Sequence, residues 1–443
     1  MDSRDAAAEQ VRAEQVRAEI LAKVAEYYRL RYANRSDAPG EALVQYAGRV
    51  FDEHELIKGV EAVLEFQLTG GHFEREFADG LKTLLDRREV LLVNSGSSAN
   101  LVAMSALCGQ QQPDRLVPGD EVITPAATFP TTLAPIVQNQ LVPVLVDCEL
   151  GTYNLDPEQL AAAYSDRTRA IFVPHTLGNP ADMARIMDFA RQHKLYVIED
   201  TCDALGSRFA SQYCGTFGQL ATLSFYPAHH ITTGEGGAVC TNDPALGRVA
   251  RSVRDWGREA TDAPSRLAAL SGDELLFDPQ YRYGEIGYNL KMTEMQAAIG
   301  LAQLPRLAEF NRLRQQHFAW LYDHLRRYEE ALLLPEWLPD AEPAWFAFPI
   351  TVRPGAGFTR GQLVRHLEAH RIETRFLFAG NILNQPGYQH IQRRVIGDLP
   401  NTEVVSRSTF FVGVYPGLDE GQIGYMLETF DSFFNPVARS SNS

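Results

Sequence analysis

"RAIFVPHTLGNPADMARIMDFARQHKLYVIEDT", residues 169–201, contains the clearest fold signal in the sequence. Its two ends, "RAIFVPHT" and "LYVIEDT", are short apolar runs, and the segment between them, "ADMARIMDFARQHK", carries apolar residues at helical spacing. Strands that are apolar on both faces are typical of parallel sheets covered by helices. The stretch therefore predicts a strand, a helix and a second strand parallel to the first.

The same alternation of apolar runs and helical patterns extends from about residue 60 to 260. The other apolar runs are "EVLLVNSG", "EVITPAATF", "LVPVLVDCE", "ATLSFYP" and "GAVCTND". Together they predict an α/β fold with a mainly parallel sheet covered on both faces. In such a sheet ligands bind beyond the carboxyl ends of the strands, so the residues that follow each strand are the candidates for a site.

The regions on either side of this alternation have other patterns. A long charged helix is expected over residues 5–33, and a helical stretch over 293–333 leads into a region of mixed strand and helix signals. We therefore expect an N-terminal helical extension over 1–40, a large domain over 41–305 and a small C-terminal α+β domain over 306–443.

Composition excludes several classes of function. The 443 residues carry a formal charge of −15 without a long basic run, which argues against nucleic acid or an anionic membrane as partner. The N-terminus has no apolar core of a signal peptide, and no apolar run approaches the length of a membrane span. The five cysteines are scattered, as expected of reduced thiols. We expect a soluble cytoplasmic protein.

A phosphate site is the first candidate feature. In "VNSGSSAN", residues 93–100, a predicted strand ends in serines and a glycine, and a helix begins at once. The unpaired backbone N–H groups at a helix start, flanked by hydroxyl groups, bind a phosphate monoester well. From this segment alone, a simple serine N-cap is an equal alternative.

Two further strand ends carry groups suited to an aromatic ring. "VIEDTCDALGS" delivers Glu199 and Asp200 to the end of a strand, and "TPAATFPTT" places Phe129 beyond another. A carboxylate beside a pyridine nitrogen keeps that ring protonated, and therefore able to accept electrons. Taken singly, each has an ordinary alternative, a cap or metal ligand for the carboxylate and core packing for the phenyl ring.

These motifs together resemble the DegT/DnrJ/EryC1/StrS sugar aminotransferase family. The resemblance runs from about residue 40 to 435 and is carried in order by "SGSSAN", "TPAATFPTT", "VIEDTCDALGS", "SFYPAHHITTGEGGAV" and "GYNLKMTEMQAAIGLAQL". It implies a fold-type I enzyme dependent on pyridoxal phosphate, with a large domain like that of aspartate aminotransferase. Such enzymes act on nucleotide-linked keto-sugars.

The resemblance also implies roles for particular residues. It places Asp200 on the pyridine nitrogen and Phe129 against the ring, and it makes Asn289 a ligand of the phosphate in the neighbouring subunit, so that a homodimer shares its active sites. The cofactor-binding residues that it implies are Gly96, Ser97, Ser98, Phe129, Asp200, Asp203, Ser224 and Asn289.

A lysine of the family is missing from this chain. Most members have the pattern "SF-x-x-x-K", and counting from Ser224 places His229 where the lysine would bind the cofactor covalently. An imidazole cannot make that bond, but it can act as a general base near neutral pH. The pattern is similar to that of the 3-dehydrases of the family, which use pyridoxamine phosphate. There the histidine removes a proton from the C4′ carbon of the cofactor and the C3 hydroxyl of a 4-keto-6-deoxyhexose is expelled.

The adjacent His230 is not given a role. Neighbouring side chains on an extended chain point apart, and no further ligands at suitable spacing support a zinc site, so we expect no metal at the histidine pair.

An iron–sulfur cluster distinguishes two branches of these dehydrases. The cluster-bearing branch has the spacing C-x57-C-x-C-x7-C, of which this chain keeps Cys202, while the other three positions are Ala260, Asp262 and Leu270. Because ligation needs about four thiolates, we expect no [2Fe–2S] cluster. The resemblance then implies the cluster-free chemistry, in which an amino donor such as glutamate returns pyridoxal phosphate to pyridoxamine phosphate.

The segment "IETRFLFAGNILNQPGYQH", residues 372–390, resembles the sugar-facing part of the dehydrases. Arg375, Asn381 and Gln385 are the candidates for substrate contacts, with hydrogen bonds that merely hold the loop as the alternative. The sequence as a whole predicts a pyridoxamine-phosphate-dependent 3-dehydratase of a nucleotide-linked 4-keto-6-deoxyhexose. The alternatives are a sugar aminotransferase without a covalent lysine and a non-catalytic homologue.

Overall fold

A computed structural model describes residues 3–33, 42–259, 278 and 281–435. Its helices, numbered in chain order, are α1 (Ser3–Arg31), α2 (Glu53–Glu65), α3 (His72–Leu85), α4 (Gly96–Leu107), α5 (Pro130–Gln138), α6 (Leu160–Ala163), α7 (Met183–His193), α8 (Pro244–Arg254), α9 (Glu294–Gln303), α10 (Leu307–Leu325), α11 (Arg360–Ala369), α12 (Pro400–Ser408) and α13 (Glu420–Phe434).

The strands fall into three sheets. They are β1 (Glu89–Val93), β2 (Glu121–Pro125), β3 (Val142–Val146), β4 (Thr168–Pro174), β5 (Tyr196–Asp200), β6 (Arg208–Phe209), β7 (Gln212–Tyr213), β8 (Leu220–Ser224), β9 (Gly237–Thr241), β10 (Leu332–Leu333), β11 (Ala341–Glu342), β12 (Ala347–Val352), β13 (Arg375–Phe376), β14 (Arg394–Val395) and β15 (Thr409–Gly413).

The largest sheet has eight strands in the order β1-β9-β8-β5-β4-β2-β3-β14. All neighbours from β8 to β14 are parallel, and only β9 pairs antiparallel with β8 and β1. The prediction of a mainly parallel sheet is therefore confirmed. Asp200 pairs with Pro174 on one side and Thr222 on the other, so β4, β5 and β8 end almost level.

The stretch at residues 169–201 forms the predicted unit of β4, α7 and β5. Asp182 caps α7 by accepting a hydrogen bond from the Arg185 N–H, and Lys194 ends it in the left-handed conformation. Met183, Ile186 and Ala190 lie on the buried face of the helix and pack with apolar residues of β4 and β5. Local capping and apolar spacing thus agree with the tertiary packing.

The smaller sheet has the order β10-β12-β15-β13 and packs against α10, α11 and α13 around an aromatic core. The C-terminal third of the chain also supplies β14 to the large sheet, where the Arg394 guanidinium lies 2.9 Å from the Glu121 carboxylate. The expected boundaries at 40/41 and 305/306 stay a prediction.

Helix α1 is polar and mostly exposed, and Arg17 joins it to α2 through an ion pair of 3.2 Å with Glu65. None of the described helices is both long enough and apolar enough to cross a membrane.

Helix α3 depends on a cap from a distant residue. Its own N-cap, Gly71, has no side chain, and the buried carboxylate of Glu294 accepts hydrogen bonds from the backbone N–H groups of Phe73 at 2.9 Å and Glu74 at 3.0 Å. A Cβ atom on Gly71 would lie 2.3 Å from Glu294 Oε2, so the glycine is needed for this approach. The contact ties the start of α9 to α3.

Replacing Glu294→Ala leaves two buried N–H groups without an acceptor. We expect the free energy of unfolding to fall by about 2 kcal/mol, since hydrogen bonds to a charged group are the strong ones. Chemical denaturation measures this, with the exposed first-turn Glu309→Ala of α10 as the matched control. Equal losses in the two variants would contradict the capping role.

Candidate active site

A cavity of about 400 Å³ lies at the carboxyl ends of β4, β5 and β8. Ligands of open α/β sheets bind beyond this edge, so the cavity lies where a ligand is expected. Eight of the residues predicted from the sequence line it, namely Gly96, Ser97, Phe129, Asp200, Asp203, Ser224, His229 and Arg375. Ser98, Asn289, Asn381 and Gln385 do not belong to its lining.

The start of α4 forms one end of the cavity. Ser95 is its N-cap, and the Ser95 hydroxyl accepts a hydrogen bond from the Ser98 N–H at 3.0 Å. The Ser95 hydroxyl also donates to the Ser98 hydroxyl, so Ser98 serves the cap. A Cβ atom on Gly96 would lie 2.5 Å from the Ser224 Cβ, so only glycine lets the helix start approach the end of β8. The N–H groups of Gly96 and Ser97, with the two nearby hydroxyls, make a cradle that fits a phosphate.

The Asp200 carboxylate is held rigidly at the end of β5. Its Oδ2 accepts hydrogen bonds from Asn100 Nδ2 at 2.9 Å and from the Thr132 hydroxyl at 2.7 Å, and its Oδ1 accepts one from the Cys202 N–H at 3.2 Å. The Thr222 hydroxyl in turn donates to Asn100 Oδ1 at 2.6 Å. Sequence reasoning missed these supporting residues, although Asn100 and Thr132 lie within the quoted motifs.

The neighbouring Glu199 has different hydrogen-bond partners because successive side chains of a strand point to opposite faces. Its carboxylate accepts three backbone hydrogen bonds of 2.7 Å from residues 215, 217 and 218, and lies 3.1 Å from His175 Nε2. Burial acts to raise the pKa of Glu199, but these hydrogen bonds outweigh it and hold the pKa below its usual value. His175 Nδ1 accepts a hydrogen bond from the Ala181 N–H, so Nε2 carries the proton that faces Glu199.

His229 follows β8 and faces the cavity. Its Nδ1 lies 3.2 Å from Asp203 Oδ1, which makes an ion-pair contact, although the two atoms are not aligned for a hydrogen bond. The ring centroid of Phe346 lies 5.4 Å from that of the imidazole and limits its movement on the other side. A carboxylate beside one nitrogen of an imidazole favours the proton on that nitrogen and leaves the lone pair on the other.

His230 is buried outside the cavity lining. Its Nε2–H donates to the carbonyl of Ala344 at 3.2 Å, while its Nδ1 has no hydrogen-bond partner. Burial, followed by the charge of Arg314, lowers the pKa of His230 well below its usual value, so the ring is neutral. The described residues contain no group of three or more His, Cys, Asp or Glu placed to hold a metal ion.

Aromatic side chains cover the remaining walls. Phe129 is 48% exposed and its ring meets Phe378 edge to face at 5.8 Å. The Arg375 guanidinium lies 4.5 Å from the ring centroid of Tyr46 and pairs with Glu373, so it is already oriented at the edge of the cavity. The cradle, the fixed carboxylate and the exposed phenyl ring together fit a phosphorylated pyridine.

Two predicted substrate contacts serve their own loop. Asn381 Nδ2 donates to Glu403 at 2.7 Å while its Oδ1 accepts from the Leu383 N–H, and Gln385 Nε2 donates to the carbonyl of Ala379 at 2.9 Å. These are the loop-holding bonds that were the alternative for these residues. Their contact with substrate stays a prediction.

Cys202 lines the cavity as a half-buried thiol whose pKa is raised well above its usual value by removal from solvent and by the nearby Asp200 carboxylate. The other three positions of the cluster spacing, Ala260, Asp262 and Leu270, lie outside the described residues.

Comparisons with known proteins agree with this geometry. The chain is 43% identical over 434 residues to dTDP-4-dehydro-2,6-dideoxy-D-glucose 3-dehydratase of Saccharopolyspora spinosa, with 95% of this chain and 92% of the relative covered. It is 42% identical over 431 residues to the lipopolysaccharide biosynthesis protein RfbH of Salmonella typhimurium, with 95% of this chain and 99% of the relative covered.

A solved structure of a 3-dehydratase is also similar to this chain. A crystal structure of GDP-4-keto-6-deoxymannose-3-dehydratase with a trapped PLP–glutamate geminal diamine superposes with a TM-score of 0.79 at 28% identity, covering 87% of this chain and 99% of that one. The model of the DegT/DnrJ/EryC1/StrS aminotransferase family matches residues 51–431. The chain therefore belongs to the DegT/DnrJ/EryC1/StrS aminotransferase family.

Proposed function

We propose that the protein is a pyridoxamine-phosphate-dependent 3-dehydratase of a nucleotide-linked 4-keto-6-deoxyhexose. One observation carries the proposal. Among the described residues, the cavity lining combines a phosphate cradle, a fixed carboxylate and the imidazole of His229, and it contains no lysine. The relatives named 3-dehydratases support the same reaction class.

These residues would hold the cofactor without a covalent bond. Gly96, Ser97 and Ser224 would bind its phosphate, Asp200 would face its ring nitrogen, and Phe129 would cover its ring. When bound, pyridoxamine phosphate supplies an amino group that condenses with the C4 ketone of the sugar and a ring that accepts electrons. Asn100 and Thr132 fix Oδ2 of Asp200, and Oδ1, which accepts one hydrogen bond from the Cys202 N–H, is the oxygen that would face the ring nitrogen.

His229 acts as the general base. Its unprotonated nitrogen would accept a proton from the C4′ carbon of the bound cofactor, which would supply the electrons that expel the C3 hydroxyl of the sugar. Asp203 contacts the other nitrogen and stabilises the imidazolium that forms. An imidazole cannot carry the cofactor covalently, so elimination rather than completed amino transfer becomes the outcome.

The sugar is placed against the aromatic walls, where Phe346, Phe378 and Phe411 exclude water from the reacting carbon. Arg375, held by Tyr46 and Glu373, is a cation available to the sugar or the diphosphate. Glutamate is the proposed amino donor that restores pyridoxamine phosphate, consistent with the PLP–glutamate adduct trapped in the GDP-sugar enzyme. No iron–sulfur cluster takes part in the proposed reaction.

A homodimer completes the site. Lys291 Nζ donates to Asn289 Oδ1 at 2.6 Å, which orients the amide so that its N–H groups point away from the lysine. Asn289 lies outside the cavity of its own chain, next to Ile286, which is 94% exposed. The exposed side chains of Tyr283, Ile286 and Tyr288 in this segment support its contact with the partner subunit, whose cofactor phosphate Asn289 would bind.

A substrate panel tests the function. The protein is incubated with pyridoxamine phosphate, glutamate and CDP-, GDP- and dTDP-4-keto-6-deoxyhexoses, including a 2,6-dideoxy member, and mass spectrometry follows the sugar. We expect a 4-keto-3-deoxy product with release of ammonia from at least one substrate. A stable 4-amino sugar, inactivity on every member, or a requirement for iron and a reductase would each contradict the proposal.

The role of His229 is tested by His229→Asn, which keeps the size and polarity of the ring but removes the base. We expect dehydration to fall by about 100- to 10,000-fold because a positioned base contributes this much, while cofactor affinity is retained. The exposed His54→Asn on α2 is the matched control and should keep full activity. Unchanged turnover in His229→Asn would remove it from the base role.

The shared site is tested with mixed dimers. His229→Asn disables the site of its own chain, whereas Asn289→Asp sets a negative charge against the phosphate of the partner's site. Mixing the two variants therefore restores one intact site per mixed dimer, and we expect activity well above the sum of the separate variants.

The control mixes the His229→Asn variant with the Asp203→Asn variant. Each change disables the site of the chain that carries it, so the mixed dimer has no intact site and should regain no activity. If the Asn289→Asp mixture also restores nothing, Asn289 does not act across the dimer.

A further inference from the structure

Arg314 lies behind the His229 loop as one of the largest fully buried side chains of the protein, 1% exposed. Its guanidinium, carried by α10, donates to the carbonyls of two separate segments. Nη2 reaches Ala228 at 3.4 Å and His229 at 3.0 Å, while Nη1 reaches Trp345 at 3.5 Å and Phe346 at 3.0 Å. The same side chain therefore fixes the backbone of the proposed base and of the aromatic wall that faces its ring.

The charge of this guanidinium is not neutralised by a direct ion pair with any described residue. Burial lowers the pKa of Arg314 to about 10, and the Asp203 carboxylate acts against that shift. The group is still cationic at neutral pH. Asp203 is also the carboxylate that contacts His229, so the same carboxylate interacts with both Arg314 and His229.

We propose that Arg314 is a positioning residue for His229, which fixes the backbone that carries the imidazole and places a buried positive charge 3.0 Å from the His229 carbonyl oxygen. This inference rests on the proposed role of His229 as the base. Arginine suits the task because its planar fork donates to four carbonyls at once, which a lysine ammonium on a flexible stem cannot do.

The electrostatic balance at His229 depends on the charged and titratable groups around it. Those that line the same cavity or adjoin the ring are Tyr46, His175, Asp200, Cys202, Asp203, Tyr226, His230, Glu235, Arg314 and Arg375. Asp203 Oδ1 lies 3.2 Å from the ring nitrogen Nδ1 of His229, and Arg314 Nη2 lies 3.0 Å from the His229 carbonyl oxygen on the backbone side. At the adjacent His230, burial and then the charge of Arg314 lower the pKa.

The experiment measures protonation of His229 without using turnover. Diethyl pyrocarbonate acylates an unprotonated imidazole, and mass spectrometry of the peptide that contains His229 gives its reactivity at each pH in the cofactor-free protein. Arg314→Gln and Arg314→Met remove the charge, and Arg314→Lys keeps it. The matched control is Arg87→Gln, since Arg87 is also buried and donates only to the carbonyls of Gly215 and Gly218, outside the cavity lining.

We expect the midpoint of His229 reactivity to move to higher pH by about one unit in the two neutral variants, the usual size of a nearby-charge effect. It should stay in place in Arg314→Lys and Arg87→Gln. The acid limb of the dehydration rate should move with it. Identical midpoints in all folded variants would overturn the proposal.

Arg314→Lys tests the geometric part and decides the matter if neither neutral variant folds. With the charge kept and the fork lost, we expect kcat to fall by about tenfold or more at unchanged KM for the sugar, because a small displacement of a base is costly. A wild-type kcat in this variant would overturn the proposal. The acylation midpoint still reports on Arg314 if His229→Asn shows that His229 is not the base, so the two failures are distinguishable.

Discussion

Parallel pairing of β4, β5 and β8 is the constraint on which the rest of the site depends. Because Pro174, Asp200 and Thr222 are paired neighbours, the loops that follow these strands open at one edge of the sheet. Asp200, Ser224 and His229 then converge on one cavity although they lie in separate parts of the chain. The close approach of Gly96 to Ser224 brings the start of α4 against the end of β8 at one side of that cavity.

Two consecutive carboxylates, Glu199 and Asp200, have different partners because they lie on opposite faces of β5. Glu199 is fully engaged by backbone N–H groups and His175 and holds the loop at residues 215–218. Asp200 on the opposite face lines the cavity and is held by two side chains and by the Cys202 N–H. The same separation recurs at 229 and 230, where one imidazole faces Asp203 in the cavity and the other is buried against the Ala344 carbonyl. Alternation along a strand accounts for the first pair. His229 and His230 instead lie in a turn that follows β8, in which the His229 N–H donates to the Tyr226 carbonyl.

Much of this arrangement is predictable from the sequence, because strand runs, helix spacing and the first turn of α4 are local signals. The strand–helix–strand unit at 169–201 and the mainly parallel sheet are confirmed, and eight predicted residues line one cavity. The supporting contacts are not local. Arg314 reaches a carbonyl 85 residues away, and Thr132 reaches Asp200 across 68, so no periodicity indicates either. Asn381 and Gln385 were predicted to contact substrate, but their side-chain amides form hydrogen bonds with backbone groups of their own loop.

In the proposed reaction an imidazole, not a lysine, moves the proton at C4′ of a cofactor that is not covalently bound. The most direct measurement loads the protein with pyridoxamine phosphate carrying two deuterium atoms at C4′ and adds the keto-sugar that it turns over. Mass spectrometry of the recovered cofactor should show loss of one deuterium, and that loss should disappear in the His229→Asn variant. Retention of both deuterium atoms in the wild-type protein, or the same loss in the variant, would contradict the claim.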